Sequence, residues 1–138
     1  MVLPTFVQHA VSGLPLPILN RGEDIRCFQH VSDAVRGIIR LASEDCEDGL
    51  LANIGSDRAI TVRDLALIVG EVLGRDIALR EVCDVERYGS PSTRCLRRVP
   101  DLTIARDLLG HEAQCSLEVL IRDLAEHCAC VESSELRA

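Results

Sequence analysis

Gly22-Glu23-Asp24-Ile25-Arg26-Cys27-Phe28-Gln29-His30-Val31-Ser32-Asp33 is the stretch on which the fold turns. Its head, together with Asn20 and Arg21, has turn-forming composition, and Ile25 to His30 reads as a short strand. Ser32 or Asp33 can cap a helix in which Val35, Ile38, Ile39 and Ala42 recur at helical spacing. Upstream, Leu16 to Leu19 is a second strand-like run. Before it, Thr5 to Ser12 is helical, with Phe6, Val7 and Ala10 on one side and Gly13 as its stop.

Downstream, Gly49 to Ile54 is an apolar run of buried-strand type, closed by Gly55. Thr61-Val62-Arg63-Asp64 has the shape of a capping box with Asp in place of Glu, and Leu65, Ile68, Val69, Val72 and Leu73 follow on one helical face up to Gly74. Asp76 to Val82 alternates as a strand, with Ile77, Leu79 and Glu81 on one face. Glu86 to Val99 has no apolar period and holds Gly89, Pro91 and the arginines 87, 94, 97 and 98, so it reads as a loop. Pro100 and Asp101 open a helix that stops at Gly110. Ser116 caps a last one carrying Leu117, Leu120, Ile121 and Leu124. The expected class is α/β: a small mixed domain of short strands and about five helices over residues 1–130, with 131–138 as a polar tail.

The composition narrows the chemistry. The 138 residues fit one domain; 47% are apolar and 27% charged, as in a globular protein with a core. All fifteen basic charges are Arg, and not one is Lys. Schiff-base lysines, Tyr–Lys proton-transfer pairs and phosphate-loop lysines are therefore excluded within this chain. A net charge of −7 with only three aromatics argues against nucleic-acid binding. The acidic run Glu44 to Asp48 reads as a solvated loop. No apolar stretch has the length of a membrane span, and the apolar N-terminus, broken by Pro4, Pro15 and Pro17, makes a poor signal peptide. Seven scattered cysteines, at 27, 46, 83, 95, 115, 128 and 130, suggest a reducing cytoplasm.

Among candidate sites the arginines stand out. Arg26 follows the glycine turn, and Arg94, Arg97 and Arg98 lie on the loop entering the Pro100 helix. Guanidinium forks hold phosphate oxygens in pairs, so the two groups could converge on a diphosphate. Equally, they could be surface arginines paired with nearby acids. Cys128-Ala129-Cys130 beside His127 lacks the spacing of a zinc knuckle, and no metal site is expected. Cys27 reads as a buried strand cysteine, with a lowered, reactive thiol as the alternative. His9, His30 and His111 have no acidic partner at a telling spacing and read as structural. No Ser-His-Asp set is visible.

Four segments in order resemble the C-terminal, substrate-binding part of the NAD-dependent epimerase/dehydratase family, the extended short-chain dehydrogenases/reductases that act on nucleotide sugars. They are Leu3-Pro4-Thr5-Phe6-Val7-Gln8-His9-Ala10 with Gly13-Leu14-Pro15-Leu16; Gly22 to Asp33; Asn53-Ile54-Gly55 with Ile60-Thr61-Val62 and Asp64-Leu65-Ala66; and Arg98-Val99-Pro100-Asp101 with Ala105 and Leu108-Leu109-Gly110. The subgroups that look most alike are the sugar-nucleotide epimerases and UDP-glucuronate decarboxylases. The resemblance implies that Arg26 and Arg98 contact the substrate diphosphate from opposite sides, and that Leu19, on its strand, walls the nucleotide base. Leu19 stands where the family often has an aromatic, Asn20 where it often has Gly, Cys27 where it often has Asp or Ser, and His111 where it usually has Trp.

The family's Gly-rich cofactor turn is absent, and its Tyr–Lys pair has no counterpart: Tyr88 is followed at position 92 by Ser. The expectation is a chain beginning after the Rossmann cofactor domain would have ended. It would bind a UDP-sugar or other nucleotide sugar, carry no catalytic residue and bind no NAD itself. The alternative is a non-catalytic remnant serving as an oligomerisation or protein-binding module. Apolar surface that would face the cofactor domain should be bare, so a homo-oligomer or a separate Rossmann-type partner chain is expected.

Overall fold

The structure, a computed structural model, describes residues 1–43, 49–83 and 95–135. Five α-helices and four three-residue strands follow one another along the described residues: α1 Val2–Val11, β1 Leu16–Ile18, β2 Ile25–Cys27, α2 Val31–Ser43, β3 Ala59–Thr61, α3 Val62–Leu73, β4 Leu79–Glu81, α4 Thr103–Asp107 and α5 Leu117–Glu135. The mixed α/β class is as read from the sequence. Glu44 to Asp48, Arg87, Tyr88 and Arg94 lie outside the described residues.

The core is a three-helix contact of α1, α3 and α5, closed on one side by β1. α1 contributes Leu3, Phe6, Val7 and Ala10, positions separated by three or four residues that share one helical face. It starts three residues earlier than the sequence suggests, because Pro4 is harmless in a first turn, where its missing N–H has no partner to lose. α3 is closed as expected. The Thr61 hydroxyl accepts the Asp64 N–H at 3.0 Å and donates to the Asp64 carboxylate at 2.7 Å, and Gly74 takes the left-handed φ of 61°. Ser116 likewise caps α5 through the Val119 N–H. The helix runs on to Glu135, into the segment that reads as a polar tail.

The sheets are two separate pairs, β1 parallel to β4 and β2 antiparallel to β3. β2 ends at Cys27 rather than His30, because β3, its antiparallel partner, is only three residues long. A backbone bridge extends it on the other edge: the Ile25 N–H donates to Leu96 and the Arg98 N–H donates to Ile25, at 2.7 and 3.1 Å. The Pro100 helix begins only at Thr103, where the Asp101 side chain accepts the Thr103 N–H.

Two expectations fail for one physical reason. α2 has the apolar stripe predicted for it, but Val35, Ile38 and Ile39 are 46, 59 and 58% exposed, and Val31 is more so. The helix turns Asp33 and Gly37 inward instead. The segment from Gly49 to Ile54 is no strand, and Leu51 is 85% exposed. A buried strand requires neighbours on both edges, and none lies beside it among the described residues.

Gly37 fixes how closely α2 approaches the rest. A Cβ there would meet Ile54 at 2.5 Å and the His111 ring at 3.0 Å. Gly37→Ala is expected to lower stability by about 1–3 kcal/mol despite its better helix propensity, read as an earlier urea midpoint at unchanged slope.

Candidate functional site

Between α1, α5 and the two strand pairs lies a cavity of about 920 Å³. Its apolar walls come from α1 (Leu3, Phe6), from β1 and its exit (Pro17, Leu19) and from α5 (Leu120, Leu124). Its polar groups come chiefly from the segment Asp24 to His30, with Arg98 and Asp123. Arg26, Arg98 and Leu19, separated by up to 79 positions in sequence, thus line one cavity.

The local sequence explains the placement. After β1 the chain turns through three successive left-handed residues, Asn20, Arg21 and Gly22, with φ of 49, 52 and 78°. Asn tolerates this region, Arg does so at a cost, and at Gly22 a Cβ would collide with the Arg63 backbone at 2.8 Å. The turn delivers Asp24 and Arg26 to the cavity. On the other edge, the Ile25–Arg97 bridge brings the end of the Arg-rich loop alongside, and with it Arg98.

The two guanidiniums differ in state. The Arg98 side chain is exposed and makes no hydrogen bond or ion pair with another described residue. Arg26 is held: Nη1 donates to the Ile25 and Leu96 carbonyls at 2.7 and 3.2 Å, and Nη2 donates to the Asp24 carboxylate at 3.1 Å. At Arg26, lining a cavity shared with Arg98 and pairing with a nearby acid therefore occur together. The bonds of Arg26 still leave Nε–H and one Nη2–H for a ligand.

Sequence reasoning missed the group at the other end of the cavity. His30 does have an acidic partner, Asp123 on α5, at 2.9 Å from Nε2. The Ser32 N–H donates to His30 Nδ1, which makes that nitrogen the acceptor and leaves the proton on Nε2 facing the carboxylate. The ring thereby caps α2 and ties its start to α5. The signal was invisible because the partners lie 93 residues apart.

Cys27 is not an activated thiol. Burial pushes it up, the Asp57 carboxylate pushes the same way, and Arg97 opposes them without prevailing. His111 is buried, and its Nε2 has no hydrogen-bond partner among the described residues. Among the described residues no group of three or more His, Cys, Asp or Glu is placed to hold a metal ion; the Cys130 side chain lies outside them. No helix of the described residues is long and apolar enough to cross a membrane.

A dinucleotide does not fit the strand-to-helix junctions that are described. The start of α3 is closed by the Thr61–Asp64 cap, and that of α2 by the His30 ring, which accepts the Ser32 N–H. In each, a side chain already takes an N–H that a pyrophosphate would need.

No family model matches the chain. It is 31% identical over 116 residues to UDP-glucuronic acid decarboxylase 2 of Arabidopsis thaliana, covering 84% of this chain and 24% of that protein. It is 27% identical over 125 residues to UDP-D-apiose/UDP-D-xylose synthase 1 of the same plant, covering 84% and 32%. Among solved structures it is similar to UDP-glucuronic acid 4-epimerase of Bacillus cereus in complex with UDP-glucuronic acid and NAD, with TM-score 0.81 and 19% identity over 95% of this chain and 40% of that one. It is also similar to UDP-glucose 4-epimerase of Thermotoga maritima with UDP-glucose, with TM-score 0.82, 24% identity and the same coverage. The chain therefore spans only a quarter to a third of the length of these two curated relatives.

Proposed function

Since this chain belongs to the NAD-dependent epimerase/dehydratase family and spans only part of its relatives' length, we propose that it is the C-terminal, substrate-binding portion of such an enzyme: a nucleotide-diphosphate-sugar-binding module, catalytically incomplete by itself. The observation that carries the reading is the shared cavity of Arg26, Arg98 and Leu19. Arg98 offers a whole guanidinium and Arg26 its remaining donors, which suits a diphosphate spanning the two. Leu19 and Pro17 offer the base an apolar wall. The ligand class is a UDP-sugar or other nucleotide sugar. On this reading NAD and the Tyr–Lys proton-transfer pair belong to a separate Rossmann-type domain or partner chain, since no lysine is available here.

UDP at about a hundred times its Kd should stabilise the protein by about 2.7 kcal/mol, a rise of roughly 10 °C in Tm. Arg26→Ala should remove most of that rise. No shift for the wild type at millimolar UDP would overturn the proposal.

A second reading has its own support. The exposed stripe Val31, Val35, Ile38 and Ile39 on α2, with Leu51 nearby in sequence, is a surface of the kind that proteins cover. It fits an assembly role, as a homo-oligomer or against a partner chain, and is compatible with ligand binding at the cavity.

A further inference from the structure

Asp24 is one of few buried polar residues, 7% exposed, and it lines the cavity beside the arginine it holds. Nothing in the ligand-binding reading requires an acid there; a carboxylate facing a cavity for anions opposes its purpose. Resting on that reading, we propose that Asp24 is a positioning residue with a second, opposing effect: it fixes Arg26 at the cavity wall and restrains the cavity's pull on a diphosphate.

The two effects separate by atom. Positioning needs only an acceptor. The Asp24 carboxylate takes Nη2 of Arg26 at 3.1 Å through one oxygen, and the other takes the Asn20 amide at 3.3 Å. Those bonds tie the arginine to the left-handed turn that sets its position. The restraint needs the charge. Of the charged side chains lining the cavity, Asp123 faces His30, Arg26 faces Asp24, and Arg98 alone has no described partner. With His30 neutral, two arginines and two aspartates line the cavity without net charge, so Asp24 offsets one of the two cations and the apolar walls must supply much of the affinity.

Asn at position 24 keeps an acceptor and drops the charge, whereas Ala removes both. By calorimetry, Asp24→Asn should bind UDP on the order of tenfold more tightly than the wild type, the scale set by one charge a few ångströms from a phosphate at intermediate dielectric. Uridine, which has no phosphate, should bind both proteins equally. The salt dependence of UDP binding should steepen in Asp24→Asn. Asp24→Ala should bind UDP more weakly than Asp24→Asn, because Arg26 then loses the acceptor that fixes its Nη2 and keeps only its Nη1 bonds. Asp107→Asn, the same charge change on the exposed end of α4, should leave the affinity at the wild-type value. Asp24→Ser supplies the comparison should the Asn variant fail to fold. UDP binding in Asp24→Asn no tighter than wild type, in a protein whose binding Arg26→Ala abolishes, overturns this inference alone. Equal UDP binding by wild type and Arg26→Ala overturns the reading beneath it.

Discussion

Asp33→Ala is expected to lower folding stability by about 3–5 kcal/mol, a large share of what a domain of this size possesses. The Asp33 side chain is fully buried at the start of α2. It accepts the backbone N–H groups of Gln114 and Cys115 at 3.2 and 3.0 Å and pairs with Arg36. Removing it strands two amides and one guanidinium, and it unties α2 from the approach to α5. Asp33→Asn, which retains an acceptor, should cost less. Both are measured by urea denaturation at neutral pH. A loss below about 1 kcal/mol for the alanine variant would show that the amides find other partners.

The same carboxylate sets a pH dependence. Burial pushes the Asp33 carboxyl up, but the Cys115 and Gln114 amides and the Arg36 charge outweigh it and hold it below its ordinary range. A folded-state value below the unfolded one means the unfolded chain binds the proton more readily. The contribution of Asp33 is therefore complete above the unfolded value of about 3.9 and is lost as pH falls through the lower folded value. The stability gap between wild type and Asp33→Asn should be widest at neutral pH and close in acid.

Ile38→Asp with Ile39→Asp is expected to change the native mass without unfolding the protein. Both side chains are already more than half exposed, so their replacement should alter monomer stability by roughly 0.5 kcal/mol or less per site. In the wild type, light scattering should give a mass above the 15.1 kDa of one chain, and the double variant should return to it. A wild-type chain that stays at the single-chain mass at high concentration removes self-association from the second reading. A partner chain would then be left as the occupant to test by co-purification.

Local chemistry was legible where it is self-contained. The Thr61–Asp64 cap, the Gly74 stop and the Ser116 cap each involve residues within a few positions, and each stands as read. α2 shows the limit. Periodicity identifies a face for burial but not what buries it; here the inward face is built on Asp33 and Gly37, whose partners Gln114, Cys115, Ile54 and His111 come from elsewhere in the chain. Leu51 fails likewise, since an apolar run becomes a strand only beside another. Arg26 and Arg98 were singled out by charge and by the family resemblance, and the Ile25–Arg97 bridge that puts them at one cavity is a tertiary fact. Asp24 and the His30–Asp123 pair were not found at all, because no short-range pattern marks an acid that meets its cation only once a turn has folded.

That bridge bears on how such a sequence can drift. Arg98 owes its place to main-chain bonds made at Ile25, not to the length of peptide leading up to it. Insertions or deletions between positions 83 and 95 can therefore accumulate without displacing it. One added residue between Leu19 and Asp24 would disrupt the turn that seats Asp24 and Arg26. Natural length variation should fall in the first interval and spare the second.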